Sequence, residues 1–260
     1  MRLNADPPPI FEVRGLSVLF GGFKALQDLS WSVDAGRILG IIGPNGAGKS
    51  TCFQAATNMV AHSGRLLLDG HDVTAVAAYR LPRAGLRRTF QQNAFFGGMT
   101  VLENMAAALL EHRGASLAAS VFMPWVERRQ RRAIEGEARA HLLRFCVPAH
   151  LYGRLPGELS YGTQRMLSIA LAAAPGARVV LLDEPAAGLG GADMLALRDL
   201  LVRMRSEGLA IVLIEHHMDL LMAVADEVVV INLGRMIASG PPSAIQADDR
   251  VLEAYLGKAA

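Results

Sequence analysis

Short apolar runs separated by helix-compatible segments recur along most of the chain. Each run stops after a few residues at a glycine or an acidic residue, ahead of a segment that can form a helix. Continuous apolar runs of this length are typical of parallel strands that are buried on both faces. The pattern therefore predicts a βαβ architecture whose clearest strands are 38–42, 179–182, 211–214 and 228–231.

A surface helix is predicted before the third of these strands. Its apolar positions recur at helical spacing and therefore fall on one face: Met194, Leu197, Leu201 and Met204. Gly208 follows at the position where glycine commonly ends a helix.

The first segment of the chain has a different composition. Residues 11–20 mix β-branched, aromatic and polar side chains, and Gly21 and Gly22 follow them. Such a mixture followed by glycines favours strand and turn over helix. We expect a small antiparallel β-subdomain here.

The middle of the chain is helical in character. Helical patterns cover 101–112 and 125–145, and no convincing strand lies between or around them. The prediction is a single α/β domain, in which a helical subdomain at 95–157 is inserted between the two parts of a sheet core, 10–94 and 158–260.

Hydrophobicity constrains where the protein works. The 260 residues are 52% hydrophobic, which is enough for a buried core and argues against disorder. The mean hydropathy is +0.28, yet no apolar run approaches the roughly 20 residues that span a bilayer. Residues 1–9 lack the apolar stretch of a signal peptide, so we expect a cytoplasmic protein.

Charge and cysteine content exclude two kinds of partner. The formal net charge of +2 argues against a surface that coats nucleic acid. Cys52 and Cys146 form no spaced cluster that could bind zinc, and we expect both to be packing residues.

The strongest chemical signal lies at 43–50, where the sequence matches G-x-x-x-x-G-K-[ST] directly after a predicted strand. Glycines let successive backbone N–H groups curl around a phosphate, and the following helix adds its positive N-terminal dipole. Lys49 would reach the β- and γ-phosphates, Ser50 would supply an oxygen to Mg²⁺, and Thr51 can donate to the α-phosphate. The candidate nucleotide-binding residues are Gly43, Pro44, Asn45, Gly46, Ala47, Gly48, Lys49, Ser50 and Thr51.

Two adjacent carboxylates follow another predicted strand. Asp183 and Glu184 come directly after 179–182. The two residues of such a pair can have different roles in phosphoryl transfer. Asp183 would hold Mg²⁺, and Glu184 would orient or deprotonate the attacking water. Acidic pairs at strand ends are common in solvated loops, so the pair gains its weight from the phosphate loop.

A histidine follows the strand at 211–214. Glu215, His216 and His217 directly follow this strand and are expected at the carboxyl edge of the sheet, where open α/β folds bind ligands. His216 is the candidate sensor of the γ-phosphate, and His217 competes for that role. A lone histidine at such a position is more often structural.

Together these motifs resemble those of the ABC ATPase family, because a further motif of that family appears in the expected order. The segment from Leu159 to Gln164 looks like its signature motif, ahead of the acidic strand. Ser160 can cap the helix that begins there and, with the Gly162 N–H, face an anion. The resemblance implies that Ser160, Gly162 and Gln164 contact a nucleotide held by another subunit, so that two composite sites form in a dimer.

Two more site residues are implied only by the resemblance. Gln91 is similar to the glutamine that touches Mg²⁺ and joins the core to the helical insertion, with Gln92 as a second choice. Phe20 resembles the aromatic residue that stacks on adenine, although tyrosine is more usual there.

The chain departs from the family pattern at three positions. Tyr161 stands where the ideal signature has a second glycine, and Thr163 stands where Gln or Glu is common. Gly190 replaces an Asp or Asn that normally contacts the partner's site. The departures at Tyr161 and Thr163 concern the contact that the signature motif makes with the nucleotide. The departure at Gly190 concerns communication between the two sites of the dimer.

The resemblance extends over essentially the whole chain and is narrowest to the ATPase subunits of branched-chain amino acid importers. The segments that carry it include Phe20 to Gly22, Ile214 to His216 and the closing Glu253 to Gly257. It implies a P-loop NTPase (RecA-like) parallel-sheet core, ATP and Mg²⁺ as cofactors, and catalysis by Glu184, His216, Gln91 and Lys49.

The resemblance also implies a set of partners. These are two membrane-spanning permeases, a sibling ABC ATPase and, indirectly, a periplasmic or surface solute-binding protein, at the cytoplasmic face of the inner membrane and without nucleic acid. Uptake of urea or short amides and lipopolysaccharide-type export are alternatives within the family. A soluble ABC protein without a transport role and a slowly hydrolysing regulatory subunit are further alternatives.

Overall fold

The computed structural model describes residues 8–90, 94–113 and 124–256. The N-terminal part contains β1 (Phe11–Phe20), β2 (Phe23–Val33), β3 (Ile38–Ile42), α1 (Lys49–Ala56), β4 (Ser63–Leu68), β5 (His71–Asp72), α2 (Leu81–Ala84) and β6 (Leu86–Arg88). The middle contains α3 (Val101–Arg113) and α4 (Pro124–Arg144). The C-terminal part contains α5 (Tyr161–Ala172), β7 (Val179–Asp183), α6 (Gly191–Ser206), β8 (Ala210–Ile214), α7 (Met218–Val224), β9 (Glu227–Asn232), β10 (Arg235–Gly240), α8 (Pro242–Gln246) and α9 (Asp249–Leu256).

The strands form two sheets. A four-stranded antiparallel sheet has the order β2-β1-β4-β5. A six-stranded sheet has the order β10-β9-β3-β8-β7-β6, and all its pairings are parallel except that of β10 with β9. The parallel core and the N-terminal antiparallel sheet agree with the α/β fold class expected from the sequence.

The central strands show why their apolar runs are continuous. Every residue of β3, β7 and β8 is buried, because helices cover both faces of the sheet. In β1, by contrast, burial alternates, and Phe11 packs edge-to-face on Trp31 of β2 with ring centroids 5.6 Å apart. The antiparallel sheet and α1 share one hydrophobic cluster, which includes Phe53.

Helices lie where the periodicity of the middle segment predicts them. Val101, Met105 and Leu109 form the buried stripe of α3 and share a hydrophobic cluster with Ala138 and Leu142 of α4. The same cluster contains the buried face of α5 and parts of β7 and β8, so the helical segment packs directly on the sheet core.

The sheet brings three loops to one edge. In the parallel register Ile41 of β3 pairs with Ile214 of β8, and Ile214 also pairs with Asp183 of β7. The loops that follow β3, β7 and β8 therefore leave the same edge of the sheet side by side.

Two other expectations have structural outcomes. Cys52 is buried as expected, but Cys146 is exposed, so the prediction that it is a packing residue is wrong. Cys146 lies in the turn after α4, beyond the buried face of that helix, and has a φ of 59°. Across the described ranges, none of the helices has the length and apolar character that crossing a membrane requires.

Candidate active site

The loop after β3 is held in place by close backbone packing. A Cβ on Gly43 would lie 2.0 Å from the Ile231 carbonyl oxygen of β9. Gly48 has φ of 107°, and a Cβ there would lie 2.8 Å from Leu26 Cδ2 of β2. Only glycine fits at these two positions, so the loop curls tightly back onto the start of α1.

Lys49 folds over this loop. Its Nζ donates to the carbonyl oxygens of Gly43 at 2.7 Å and Pro44 at 3.1 Å. Burial lowers the pKa of Lys49, and the negative charges of Glu184 and Asp183 oppose that shift. The ammonium group therefore lies in a buried position with the two acidic residues within electrostatic reach.

The opposite side of the loop is open. Asn45, Gly46 and Ser50 are exposed, and a Cβ on Gly46 would meet no atom within 4 Å. No acidic residue lies in the first turn of α1, so its N–H groups and its dipole favour an anion at this end. The glycines, the lysine and the helix terminus fit a phosphate group.

Asp183 ends β7 as a buried carboxylate. Its Oδ2 accepts a hydrogen bond from Arg88 Nη2 at 3.3 Å, and its own N–H donates to Thr89 Oγ1 at 3.2 Å. Burial raises the pKa of Asp183, whereas the Arg88 charge lowers it. Within the described part of the chain, Asp183 Oδ1 is buried and has no hydrogen-bond partner.

This unpartnered oxygen fits a cation site. A hard divalent ion such as Mg²⁺ takes carboxylate and hydroxyl oxygens and usually completes its shell with phosphate and water. The described residues contain no group of three or more His, Cys, Asp or Glu side chains that could hold a metal ion. The donor set thus fits Mg²⁺ held together with phosphate rather than in a cage of protein ligands.

Glu184 and His216 meet directly. Glu184 Oε1 lies 2.7 Å from His216 Nε2, and Glu184 has a φ of 49°, which is unusual for a residue other than glycine. The Glu184 N–H donates to the Ile214 carbonyl of β8 at 2.9 Å. His217 instead occupies the N-cap position of α7. The structure pairs His216, rather than its neighbour, with the acidic residue.

Ser160 caps α5 as the sequence predicts. Its Oγ accepts from the Thr163 N–H at 3.3 Å and shares a hydrogen bond with Thr163 Oγ1 at 2.9 Å. Gly162, in the first turn, faces α6 so closely that a Cβ would lie 2.4 Å from Asp193 Oδ2. Gln164 donates through Nε2 to the Leu159 carbonyl at 3.0 Å.

Comparison with known proteins identifies the family. A family model described as "ABC transporter" matches residues 26–187, which spans the phosphate loop, the signature segment and the acidic strand. The chain belongs to the ABC transporter family. A second family model, "Branched-chain amino acid ATP-binding cassette transporter", matches residues 235–260.

Individual relatives of this ABC chain agree with that assignment. The high-affinity branched-chain amino acid transport ATP-binding protein BraF of Pseudomonas aeruginosa is 38% identical over 96% of this chain and 99% of its own length. LivG of Escherichia coli, of the same description, is 34% identical over the same shares. The predicted membership in the branched-chain amino acid importer type of ABC ATPase is confirmed.

A solved structure has the same fold. MJ1267, an ATP-binding cassette of an ABC transporter, superposes with a TM-score of 0.82 at 30% identity and covers 96% of this chain and 100% of its own. Its ADP conformation superposes with a TM-score of 0.79. The predicted ABC ATPase fold and ATPase activity are thereby supported, and the chain is an ATPase subunit.

Phe20 and Gln91 are the remaining predicted site residues of the ABC subunit. Phe20, at the end of β1, pairs with Phe23 across the hairpin and is 49% exposed, so its ring offers a free face. Gln91 lies outside the described residues, as does Gln92. The residues just before them are described, and Thr89 donates its N–H to the Leu181 carbonyl at 2.9 Å.

Sequence reasoning missed two charged residues of the site. Arg88 not only binds Asp183 but also lies over the Phe90 and Phe53 rings, 5.0 Å and 5.9 Å from their centroids. Glu215 is 2% exposed and accepts hydrogen bonds from backbone N–H groups of two loops. The available signal was the position of each charge: Arg88 precedes the candidate Gln91 closely, and Glu215 directly ends an apolar run.

Sequence reasoning also missed a contact made by the C-terminal segment. Partial burial raises the pKa of Tyr255 in α9, and a hydrogen bond from the Gly43 N–H acts in the opposite direction. Val251 of the same helix shares a hydrophobic cluster with Ile42, the last residue of β3. Helix α9, which lies within the segment matched by the branched-chain family model, therefore packs beside the start of the phosphate loop.

An apolar groove of about 670 Å³ lies next to the acidic end of β7. It is bounded by β6, α3, α5 and the segments between them, and its lining includes Met59, Tyr79, Leu81, Phe90, Phe96 and Ala107. Arg88 also lines it, so one side chain contacts both the groove and Asp183.

Proposed function

We propose that this ABC ATPase subunit energises the import of branched-chain or related amino acids through separate membrane-spanning permease subunits. The direct contact of Glu184 with His216, next to the phosphate loop, is the observation that carries the hydrolytic part of the proposal. The branched-chain descriptions of BraF and LivG support the choice of solute.

We assign nucleotide binding to the loop after β3. Lys49 exchanges its contacts with the Gly43 and Pro44 carbonyls for contacts with the β- and γ-phosphates, and backbone N–H groups of the loop other than that of proline surround the phosphate chain. Phe20 stacks its exposed ring on adenine. Ser50, Gln91 and Asp183 would hold Mg²⁺, and the bound ion would supply positive charge beside the phosphate oxygens.

Glu184 and His216 carry the hydrolytic step in this assignment. The carboxylate of Glu184 orients the attacking water or accepts its proton. His216, through Nε2–H, donates to Glu184 Oε1 at 2.7 Å and fixes the direction of that carboxylate. His216 also reports the presence of the γ-phosphate, as the sequence predicts.

The second half of each site comes from another subunit. Ser160, Gly162 and Gln164 lie at the N-terminus of α5, whose N–H groups and dipole favour an anion. We propose that they contact the γ-phosphate bound by a sibling ABC ATPase, so that ATP closes the dimer and hydrolysis reopens it. A periplasmic or surface solute-binding protein delivers the solute, and nucleic acid is not a partner.

The apolar groove is the proposed contact with the permeases. It lies between the sheet core and the helical segment, it is lined mostly by apolar side chains, and Arg88 joins it to Asp183. A short helical segment of a permease has the size and the apolar face that such a groove accepts. We therefore propose that the subunit lies at the cytoplasmic face of the inner membrane as a peripheral protein.

Replacing Glu184 with Gln tests the hydrolytic assignment. The amide keeps the size of the side chain but cannot take a proton, so we expect steady-state ATPase turnover to fall by about 10²–10⁴-fold, the contribution typical of a general base. ATP should still bind and should shift the variant toward a closed dimer, which size-exclusion chromatography would detect. A variant that hydrolyses ATP at the wild-type rate would exclude Glu184 from this role.

Lys49→Ala is the matched control for binding. It removes the ammonium group that lies over the phosphate loop and leaves Glu184 and His216 unchanged. We expect the affinity for ATP, measured with a fluorescent nucleotide, to fall. Retained affinity would contradict the assignment of this loop as the phosphate site.

A further inference from the structure

We propose that Glu215 is a positioning residue for ATP hydrolysis, because its buried carboxylate ties together the loops that carry Glu184 and His216. The inference rests on the proposed roles of those two residues. Glu215 itself faces the backbone of the two loops, and the reaction would depend on it only through the groups it places.

Glu215 forms hydrogen bonds to the loops that follow two neighbouring strands, β7 and β8. Its Oε1 accepts from the Ala186 N–H at 2.6 Å, in the loop that follows β7. Its Oε2 accepts from the N–H groups of His216 at 3.1 Å and His217 at 3.4 Å, in its own loop after β8. One side chain therefore satisfies backbone donors of both loops.

Because Glu215 is buried, leaving its carboxylate without hydrogen bonds would cost free energy. Glu215 is 2% exposed and Ala186 is fully buried. Burial raises the pKa of Glu215, and the hydrogen bonds from Ala186, His217 and His216 lower it. Backbone N–H groups thus replace water around a buried carboxylate, and charge-assisted hydrogen bonds of this kind are among the stronger ones in proteins.

The same two loops carry the proposed reacting pair. Glu184 precedes Ala186 by two residues, and His216 directly follows Glu215. The Glu184–His216 contact at 2.7 Å and the Glu215–Ala186 contact at 2.6 Å close a ring between the loops. Within this ring Glu184 keeps its φ of 49°, a conformation that needs support from its surroundings.

Loss of the contact between Glu215 and Ala186 would also disturb the contact between Glu184 and His216. If Ala186 or the His216 backbone moves, the carboxylate of Glu184 and the imidazole of His216 lose their alignment. The contacts that hold the phosphate loop, which leaves β3, are made by other residues: Lys49 binds carbonyls of the loop itself, and Gly43 packs on Ile231. Glu215 should therefore affect the chemical step more than nucleotide binding.

Glu215→Gln tests the proposal with an almost isosteric change. An amide offers one oxygen acceptor, so its NH₂ group must face the N–H of one loop. We expect kcat to fall by about 10–100-fold, as for a misplacement of roughly 1 Å, while the Kd for ATP stays within about twofold of wild type. Glu227→Gln, which changes an exposed acid of β9 that binds Ser239, is the matched control and should leave kcat unchanged.

A double-mutant cycle with His216→Ala separates positioning from simple support of the fold. Residual turnover is measured in single-turnover experiments for both single variants and the double variant. If Glu215 acts by placing His216 against Glu184, Glu215→Gln should cost much less in the His216→Ala background. An equal cost in both backgrounds, or wild-type kcat in Glu215→Gln, would overturn the proposal.

Two further measurements keep the test decisive. Should Glu215→Gln fail to fold, Glu215→Asp keeps the charge and both oxygens but withdraws them from one loop, and the same criteria apply to its kcat and Kd. Wild-type turnover in Glu184→Gln would refute the hydrolytic role proposed for Glu184, on which this inference rests. Loss of turnover in Glu184→Gln together with normal turnover in Glu215→Gln or Glu215→Asp would refute only the role of Glu215.

Discussion

At the scale of single residues, glycines fix the backbone near the phosphate loop, and a tyrosine stands at one position where the family pattern has glycine. The neighbours of Gly43 and Gly48 leave no room for a side chain, so any other residue at these positions would force the backbone of the loop after β3 to move. At Tyr161, by contrast, a large side chain has room in place of a glycine. Its ring packs on Gly188, where a Cβ would lie 3.0 Å from Tyr161 Cε1, and its hydroxyl accepts from Arg165 Nη2 at 2.8 Å.

This packing gives the departure at Tyr161 a structural reason. The aromatic ring covers the loop after β7 from the side of α5 and takes the place that a second glycine would leave open. Ser160 and Gly162 keep their positions on either side of it in the sequence. The end of α5 that we propose to face an anion keeps its capping serine in spite of the substitution.

Gly43→Ala should damage the phosphate loop. The added methyl group would lie 2.0 Å from the Ile231 oxygen, so the backbone must shift. We expect a loss of about 1–3 kcal/mol in the free energy of unfolding, as for other overpacked sites, and weaker ATP binding. Urea unfolding and nucleotide titration measure the two effects.

Gly153→Ala is the control for that change. A Cβ at Gly153 would meet no atom within 4 Å. Its free energy of unfolding should stay within about 0.5 kcal/mol of wild type. Equal stability of the Gly43 and Gly153 variants would show that the contact with Ile231 does not constrain the loop.

At the scale of elements, one buried histidine joins the helical segment to the core. His141 of α4 donates through Nε2 to the Ala170 carbonyl of α5 at 2.9 Å and stacks on Phe145 with centroids 4.5 Å apart. Burial lowers the pKa of His141 below its ordinary value of 6.5, although the bond to Ala170 opposes the shift. The neutral form is therefore the one that fits between these helices.

Stability should consequently fall in mild acid. Because the folded state lowers the pKa of His141, the unfolded chain binds the proton more readily once the pH drops below 6.5. We expect the urea midpoint of the wild type to decrease between about pH 7.5 and about pH 5.5, and His141→Gln to remove part of that decrease. An identical pH dependence in the two proteins would contradict the assignment.

At the scale of the whole molecule, the groove and the nucleotide site share Arg88. The guanidinium group lies against Asp183 on one side and the groove on the other, so a partner seated in the groove would act on the side chain that balances the charge of Asp183. Such a link would couple the permease to the site without a direct contact between them.

Ala107→Arg should interrupt that coupling. Ala107 of α3 lines the groove, and a long charged side chain there would fill it. We expect the variant to bind ATP normally in solution but to lose its association with the membrane fraction of cells that contain the transporter.

Leu110→Arg places the same side chain on the same helix, at a position that is 39% exposed and not part of the groove lining. It should remain with the membranes. An Ala107→Arg subunit that still sediments with membranes would assign the permease contact to another surface.

The sequence by itself determined the order of the main elements and most of the chemistry. Apolar runs identified β3, β7, β8 and β9, because strands buried on both faces allow no polar residue in their middle. The phosphate loop was readable because its glycines are required locally. Asp183, Glu184 and His216 were readable because each lies at or just after the end of such a strand.

Only the tertiary structure decided which side chains connect these parts. β6 has three residues, and burial does not alternate along β10, so neither strand leaves a periodic signal in the sequence. Arg88 and Asp183 are far apart in the chain, and they meet only because β6 lies beside β7. The partners of Glu215 are backbone N–H groups, which every residue but proline carries, so no sequence pattern could reveal them.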